Sequence, residues 1–99
     1  MATLIKVDGT KKTVTPRNKQ NGFALEEVYE LLGCSMVQCV RVGEGRQARN
    51  MLMDEEGKLR EGWLEKINET ATEMFQTTYG LGADVIVGDV LICNKKEWQ

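Results

Sequence analysis

The residues best placed to do chemistry in this 99-residue chain belong to one glycine-bearing loop, residues 43–50 (GEGRQARN). Two glycines free its backbone, and Arg46, Gln47, Arg49 and Asn50 supply forked donors that match phosphate or carboxylate oxygens. The chemistry they predict is capture of a small anion. The segment that follows, NMLMD, alternates like a strand, so the loop does not run into a helix N-terminus. It also lacks the Gly-Lys-Ser/Thr ending of a nucleotide-binding P-loop. The plain alternative is a solvated hairpin tip.

Other chemistry has few carriers. The chain has no histidine, which removes the usual general base, the usual metal ligand and every Ser–His or Cys–His nucleophile. Ser35 is the only serine and sits in no Gly-x-Ser-x-Gly elbow. Cys34, Cys39 and Cys93 lie in or beside apolar runs (CSMVQCV, VLIC) and lack CxxC spacing, so they read as reduced thiols serving as small hydrophobes. Asp54, Glu55 and Glu56, with Asp84 and Asp89, have no calcium-loop pattern and read as solvated turns. No metal, cofactor or catalytic residue is expected. Thirteen basic against fifteen acidic residues leave a net charge of −2 with the cations scattered, which argues against general nucleic-acid binding. No apolar run approaches the ~20 residues of a membrane span, and an acidic residue at position 8 is too early for a secretory signal. The expected setting is the cytoplasm.

Two further features suggest protein contact. Met51 and Met53 share one face of a short strand, where methionine serves either as core filling or as an adaptable contact surface. Trp98, among charged residues at the end of the chain, reads either as an exposed contact anchor or as a frayed tail.

The elements that must position these residues follow from periodicity. Residues 3–15 read as a hairpin about a two-residue Asp8-Gly9 turn, which puts Ile5, Val7 and Val14 on one face and Lys6, Lys11 and Thr13 on the other. A helix over residues 24–32 turns Leu25, Val28, Leu31 and Leu32 inward and Glu26, Glu27 and Glu30 outward, with Glu27 as half of a capping box and Gly33 at its end. Residues 35–42 (SMVQCVRV) are apolar on both sides and are read as a central strand. Residues 50–54 return as a strand. Residues 59–67 read either as the start of a helix or as an apolar connector, the latter favoured because Asn68 is a good cap for the helix that follows. Asn68 caps a second helix in which Ala71, Met74, Phe75 and either Thr78 or Tyr79 face inward, and Gly80 and Gly82 stop it. A β-rich run over 84–94 is interrupted at Gly88-Asp89 by either a bulge or a tight turn. The expected fold is a single α+β domain over residues 1–99. Its mainly antiparallel sheet carries two helices packed on one face, in the order β-β-α-β-β-α-β(-β). An edge strand, of either the first hairpin or residues 90–93, offers a route to a homodimer.

Taken together, IKVDGT, ALEEVYELLG running into VQCV, MLMDEEGKL and INETATEMF…DVIVGDVLIC resemble a family of short proteins of unknown function. These are encoded by bacteriophages, plasmids and other bacterial mobile elements. In that family an Asn-x-x-Ala-Thr helix start precedes a strand carrying Gly-Asp or Gly-Pro; here the positions are Asn68, Ala71, Thr72, Gly88 and Asp89. Ala24 stands where the family tends to carry Ser or Thr. The resemblance implies a small accessory gene product and transfers no catalytic residue. With the missing catalytic side chains it gives the expectation of a non-enzymatic protein that binds and modulates a protein of the bacterial host, counter-defence included. The alternative is a sponge-like binder of a small anion or nucleotide at the Arg46/Arg49 loop, with Tyr79 or Trp63 stacking on a base between subunits.

Overall fold

The computed structural model describes residues 1–98. Its regular elements are β1 (Ala2–Ile5), β2 (Lys11–Val14), α1 (Leu25–Leu32), β3 (Val37–Val42), β4 (Arg49–Asp54), α2 (Glu69–Tyr79) and β5 (Val90–Cys93). The strands form one antiparallel sheet in the order β2-β1-β5-β4-β3. The α+β class and the element order are those expected. Residues 59–67 hold no long helix: short 3-10 turns at Gly57–Leu59 and Trp63–Lys66 carry the connector.

The helices, however, take opposite faces of the sheet. Ala2, Leu4, Leu52, Leu91 and Cys93 pack with Phe23 and Val28, the latter on α1. The alternate residues Ile5, Met51, Met53 and Val90 pack with Ala71, Met74 and Phe75 of α2 or beside it. Side chains of a strand point alternately to its two faces, so these are two separate cores with the sheet between them. The arrangement explains why β3 reads as a central strand: Val37 is drawn to the α1 side and Val40 and Val42 to the α2 side. It is nevertheless an edge. The centre is β5, paired on both sides by β1 and β4, so residues 90–93 are not available to a second chain.

The first hairpin also differs from expectation by one residue. Lys6 N–H donates to Thr10 C=O at 2.9 Å and Gly9 N–H to Lys6 C=O at 2.9 Å, which leaves a three-residue loop, Val7-Asp8-Gly9. Gly9 takes φ +90°, the left-handed conformation such a loop requires. Ile5 therefore pairs with Lys11, and Val14 pairs with Ala2 and lies on the α1 face, away from Ile5. A one-residue slip exchanges the two faces. The selecting contact is remote in sequence: Asp89 Oδ1 accepts the Val7 N–H at 2.9 Å. In the last β-rich run, residues 84–87 contribute one bridge, Ile67 to Val87, before Gly88 at φ +87° breaks the chain ahead of β5.

Asn68 ties these parts together. Its Oδ1 accepts the Ala71 N–H at 3.0 Å and so caps α2. Its Nδ2 donates to Ile5 C=O and to Gly88 C=O, both at 3.0 Å, and its N–H donates to Ile86 C=O at 2.8 Å. Fully buried, the side chain thus satisfies an orphan helix donor and gives both of its own donors to backbone carbonyls. Glu27 does comparable work for α1. It is buried, not on the solvated side as its spacing suggests, because its two oxygens accept the N–H groups of Ala24 (3.3 Å) and Arg17 (2.9 Å).

These contacts predict that Asn68→Ala lowers the unfolding free energy by about 2–4 kcal/mol, a lost cap plus two lost buried hydrogen bonds. Asn68→Asp, although a good cap elsewhere, is also destabilised, since a carboxylate has no donor for Ile5 and Gly88. Urea denaturation of the two variants checks this; an Asp variant of wild-type stability refutes it.

Candidate functional site

The loop between β3 and β4 is shaped by its glycines and by Arg49. Gly43 has φ +83°, and a Cβ there would lie 2.8 Å from the Gln47 carbonyl oxygen, so only glycine closes the turn. Residues Gly45–Gln47 form one 3-10 turn. The Arg49 guanidinium donates to the carbonyls of Arg46 (3.0 Å) and Ala48 (2.9 Å) and so braces the same turn.

Across the end of the sheet lies the turn that follows β5. Asn94 Oδ1 accepts the N–H groups of Lys96 and Glu97, each at 2.9 Å, and Glu97 Oε1 accepts the Asn94 N–H at 3.1 Å. The Glu97 carbonyl accepts the Phe23 N–H at 2.7 Å. Gly22, at φ +79°, sits so close that a Cβ would approach that carbonyl oxygen to 2.4 Å. The 17–23 loop therefore clasps the turn and fixes where Lys95 and Lys96 project.

Between these two segments is an open depression of about 440 Å³ lined by Arg41, Arg46, Arg49, Asn94, Lys95 and Lys96. Five cations line it and no acidic side chain does. The ion pairs of the described residues that join side chains lie elsewhere: Arg17 with Glu27 and Glu30, Lys58 with Asp84, and Arg60 with Asp54. Cations gathered without counter-charges are drawn to an anion, and the arginines add planar, bidentate donors.

The expected ligand residues thus divide. Arg46 and Arg49 are brought together, and Arg41, Lys95 and Lys96 join them across the fold. Gln47 lines an adjoining groove, beside α2, with Lys11, Glu73 and Thr78, and Arg49 borders both. Asn50 is buried, its Nδ2 reaching the Trp98 carbonyl at 3.4 Å, so it anchors the end of the chain and faces no ligand. The expected protein-contact residues are inside as well. Met51 and Met53 are buried in the core beneath α2, and Trp98 is half-buried against the α1-side core. Strand pairing and α2 cover the methionines, while the turn after β5 folds Trp98 back onto the protein. Neither proposed stacking residue reaches the depression. Tyr79 packs on Phe75 with ring centres 4.7 Å apart and donates its O–H to Arg41 C=O at 2.5 Å. Trp63 lines a separate cleft with Arg60, Lys66 and Asp89.

The aspartates of the turns are engaged by backbone or cations: Asp54 by Arg60 and the Glu56 N–H, Asp84 by Lys58, Asp89 by Val7. Among the described residues no three Cys, Asp or Glu side chains come together as a metal-ligand group. The thiols are held protonated. Burial pushes Cys34 and Cys39 up, and it pushes Cys93 up to about 12, with the Glu97 carboxylate adding to the shift.

The Cys93 shift carries a linkage consequence. An unfolded thiol ionises near its ordinary value, so the native state alone keeps this proton as pH rises past it. Stability is therefore complete at neutral pH and falls between pH 9.0 and about 12. Cys93→Ala should flatten that alkaline decline in thermal-melt measurements, and an unchanged decline would count against the shift.

A family model described as a domain of unknown function, DUF3846, matches residues 2–99. No curated protein and no solved structure matches the chain.

Proposed function

We propose, for a chain that belongs to the DUF3846 family, that it is a non-enzymatic binding protein whose basic depression takes a compact, multiply charged anion of the phosphate class. One observation carries the reading: in a chain of net charge −2, five cations from two distant segments line a single depression with no acid among them. The absence of histidine and the protonated thiols support binding over catalysis. Since no aromatic side chain lines the depression, recognition rests on the anionic groups of a ligand and not on a base.

Thermal melts at low salt with inorganic phosphate, pyrophosphate, tripolyphosphate and ATP test this. Stabilisation should grow with ligand charge, to about 2–3 kcal/mol at a hundredfold excess over Kd. Tripolyphosphate should match ATP, and moderate salt should weaken both. Arg46→Glu with Lys96→Glu, both exposed positions, should abolish the shift without altering the ligand-free melt. No shift with any of these anions, or a shift with adenosine alone, overturns the reading.

Contact with a host protein is a second reading, favoured by a surface the sequence did not single out. On the connector, Leu59 and Leu64 are 81% and 68% exposed on either side of half-buried Trp63. Isolated exposed leucines are ordinary, but two flanking a tryptophan make a contact patch. Affinity capture from bacterial lysate should yield a partner that Leu59→Asp with Leu64→Asp loses; equal recovery by this variant removes the reading. The phage or mobile-element origin belongs to the same proposal and is checked by the genes that flank this one.

A further inference from the structure

The sheet has two edges, β2 and β3, and they are built differently. β2 is KKTV, and its first two residues are exposed lysines of the kind that discourage pairing with another chain. β3 is VQCVRV, uncharged until Arg41.

The register shows which backbone groups of β3 are open. β3 and β4 pair so that Val37 lies opposite Asp54 and Val42 opposite Arg49. Glu55 N–H donates to Met36 C=O at 3.0 Å, which extends the ladder by one step. In an antiparallel pair alternate residues exchange hydrogen bonds with the neighbour. Met36, Gln38, Val40 and Val42 therefore face β4, and Val37, Cys39 and Arg41 turn their N–H and C=O groups outward. At one end the protein closes this edge itself: Tyr79 O–H donates to Arg41 C=O at 2.5 Å, and Thr78 Oγ1 accepts the Gly43 N–H at 2.9 Å. Among the described residues nothing comparable covers the N–H and C=O groups of Val37 and Cys39.

We infer that this open stretch is a self-pairing edge, and that its occupant is β3 of a second copy, antiparallel, with the two-fold axis at Gln38. The choice of occupant rests on self-complementarity. A two-fold pair centred on Gln38 sets Val37 of each chain opposite Cys39 of the other, using the four open backbone groups of each chain and leaving the Tyr79–Arg41 bond intact. It sets Met36 opposite Val40, which covers a methionine that is 46% exposed in the single chain. It sets Gln38 opposite Gln38, where two amides donate and accept reciprocally. No charge meets a like charge across these five positions. A pair centred on Cys39 would instead need the Arg41 carbonyl, which Tyr79 occupies. Closed two-fold pairing of this kind buries each edge with its own copy and ends there.

The contact is one short strand a side, so the association belongs with small interfaces and depends on concentration. Sedimentation or light scattering should give the mass of one chain at low concentration and move towards two chains in the millimolar range. Gln38→Glu sets two carboxylates face to face and should hold the protein at one chain, with circular dichroism and melting temperature unchanged. A second variant reads geometry directly. With Cys34 and Cys39 replaced by serine, Gln38→Cys places two thiols on Cα atoms about 4.5 Å apart, within disulfide reach, and mild oxidation should give a covalent dimer. Thr13→Cys on β2, in the same background, should not. A one-chain mass at every concentration, dimerisation unaffected by Gln38→Glu, or cross-linking through Thr13 in place of Gln38 each overturns the inference. Melts with tripolyphosphate on Gln38→Glu separate this result from the anion site, which lies outside the paired strand apart from Arg41.

Discussion

The buried amide of Asn68 is the constraint on which the rest of the structure depends. An amide is the one common side-chain group that offers an acceptor and two donors from a single plane. Here the acceptor serves the start of α2, and the donors serve the end of β1 and the break before β5. A helix start, a strand end and a chain reversal are thereby held at one point. Once α2 is fixed there, its apolar side can only lie along Ile5, Val90 and Met51, and the two faces of the sheet are assigned. The neighbouring Asp89 bond to Val7 then sets the hairpin register. The α1 side has its own anchor in Glu27, and the two cores meet only through the sheet.

The basic depression is a product of the same assembly. Its cations come from β3, the β3–β4 loop and the turn after β5, which meet because β4 lies between β3 and β5. The end of the sheet is thus a rim on which each turn places its exposed side chains, held by Arg49 on one side and by Asn94, Glu97 and Gly22 on the other. Arg49 uses its guanidinium to brace the turn, while the other cations of the rim enter none of the ion pairs among the described side chains, which suits a binding surface.

Much of this was legible in the sequence where the signal was local. Asn68 reads as a cap, Gly33 and Gly80 as helix ends, NMLMD as a strand and residues 59–67 as a connector, because each depends on neighbours a few positions away. What was hidden depended on distant partners. The hairpin register is chosen by Asp89, and Glu27 is buried by Arg17. β3 looks central because its alternate residues serve two different cores. The loop pair Arg46 and Arg49 was visible as a candidate, but Lys95 and Lys96 joined it only through strand order. Asn50 and Met51, adjacent to that loop, belong to the interior because pairing with β5 covers them.

The position of β5 has a bearing on how the molecule comes into being. It is the last strand along the chain and the middle strand of the sheet. Until it emerges from the ribosome, β1–β2 and β3–β4 are separate hairpins, each with one side waiting for a neighbour that does not yet exist. The two halves of the sheet cannot join directly, and both pairings that close it are long-range: β1 meets β5 across most of the chain, and β4 meets it across the intervening connector and α2. Folding of this kind is set by non-local pairing that waits on β5, so it is slower than in a helical protein of equal size. Until then the nascent chain exposes apolar strand edges that the finished sheet hides, so β5 and the turn that follows it serve the closing of the fold.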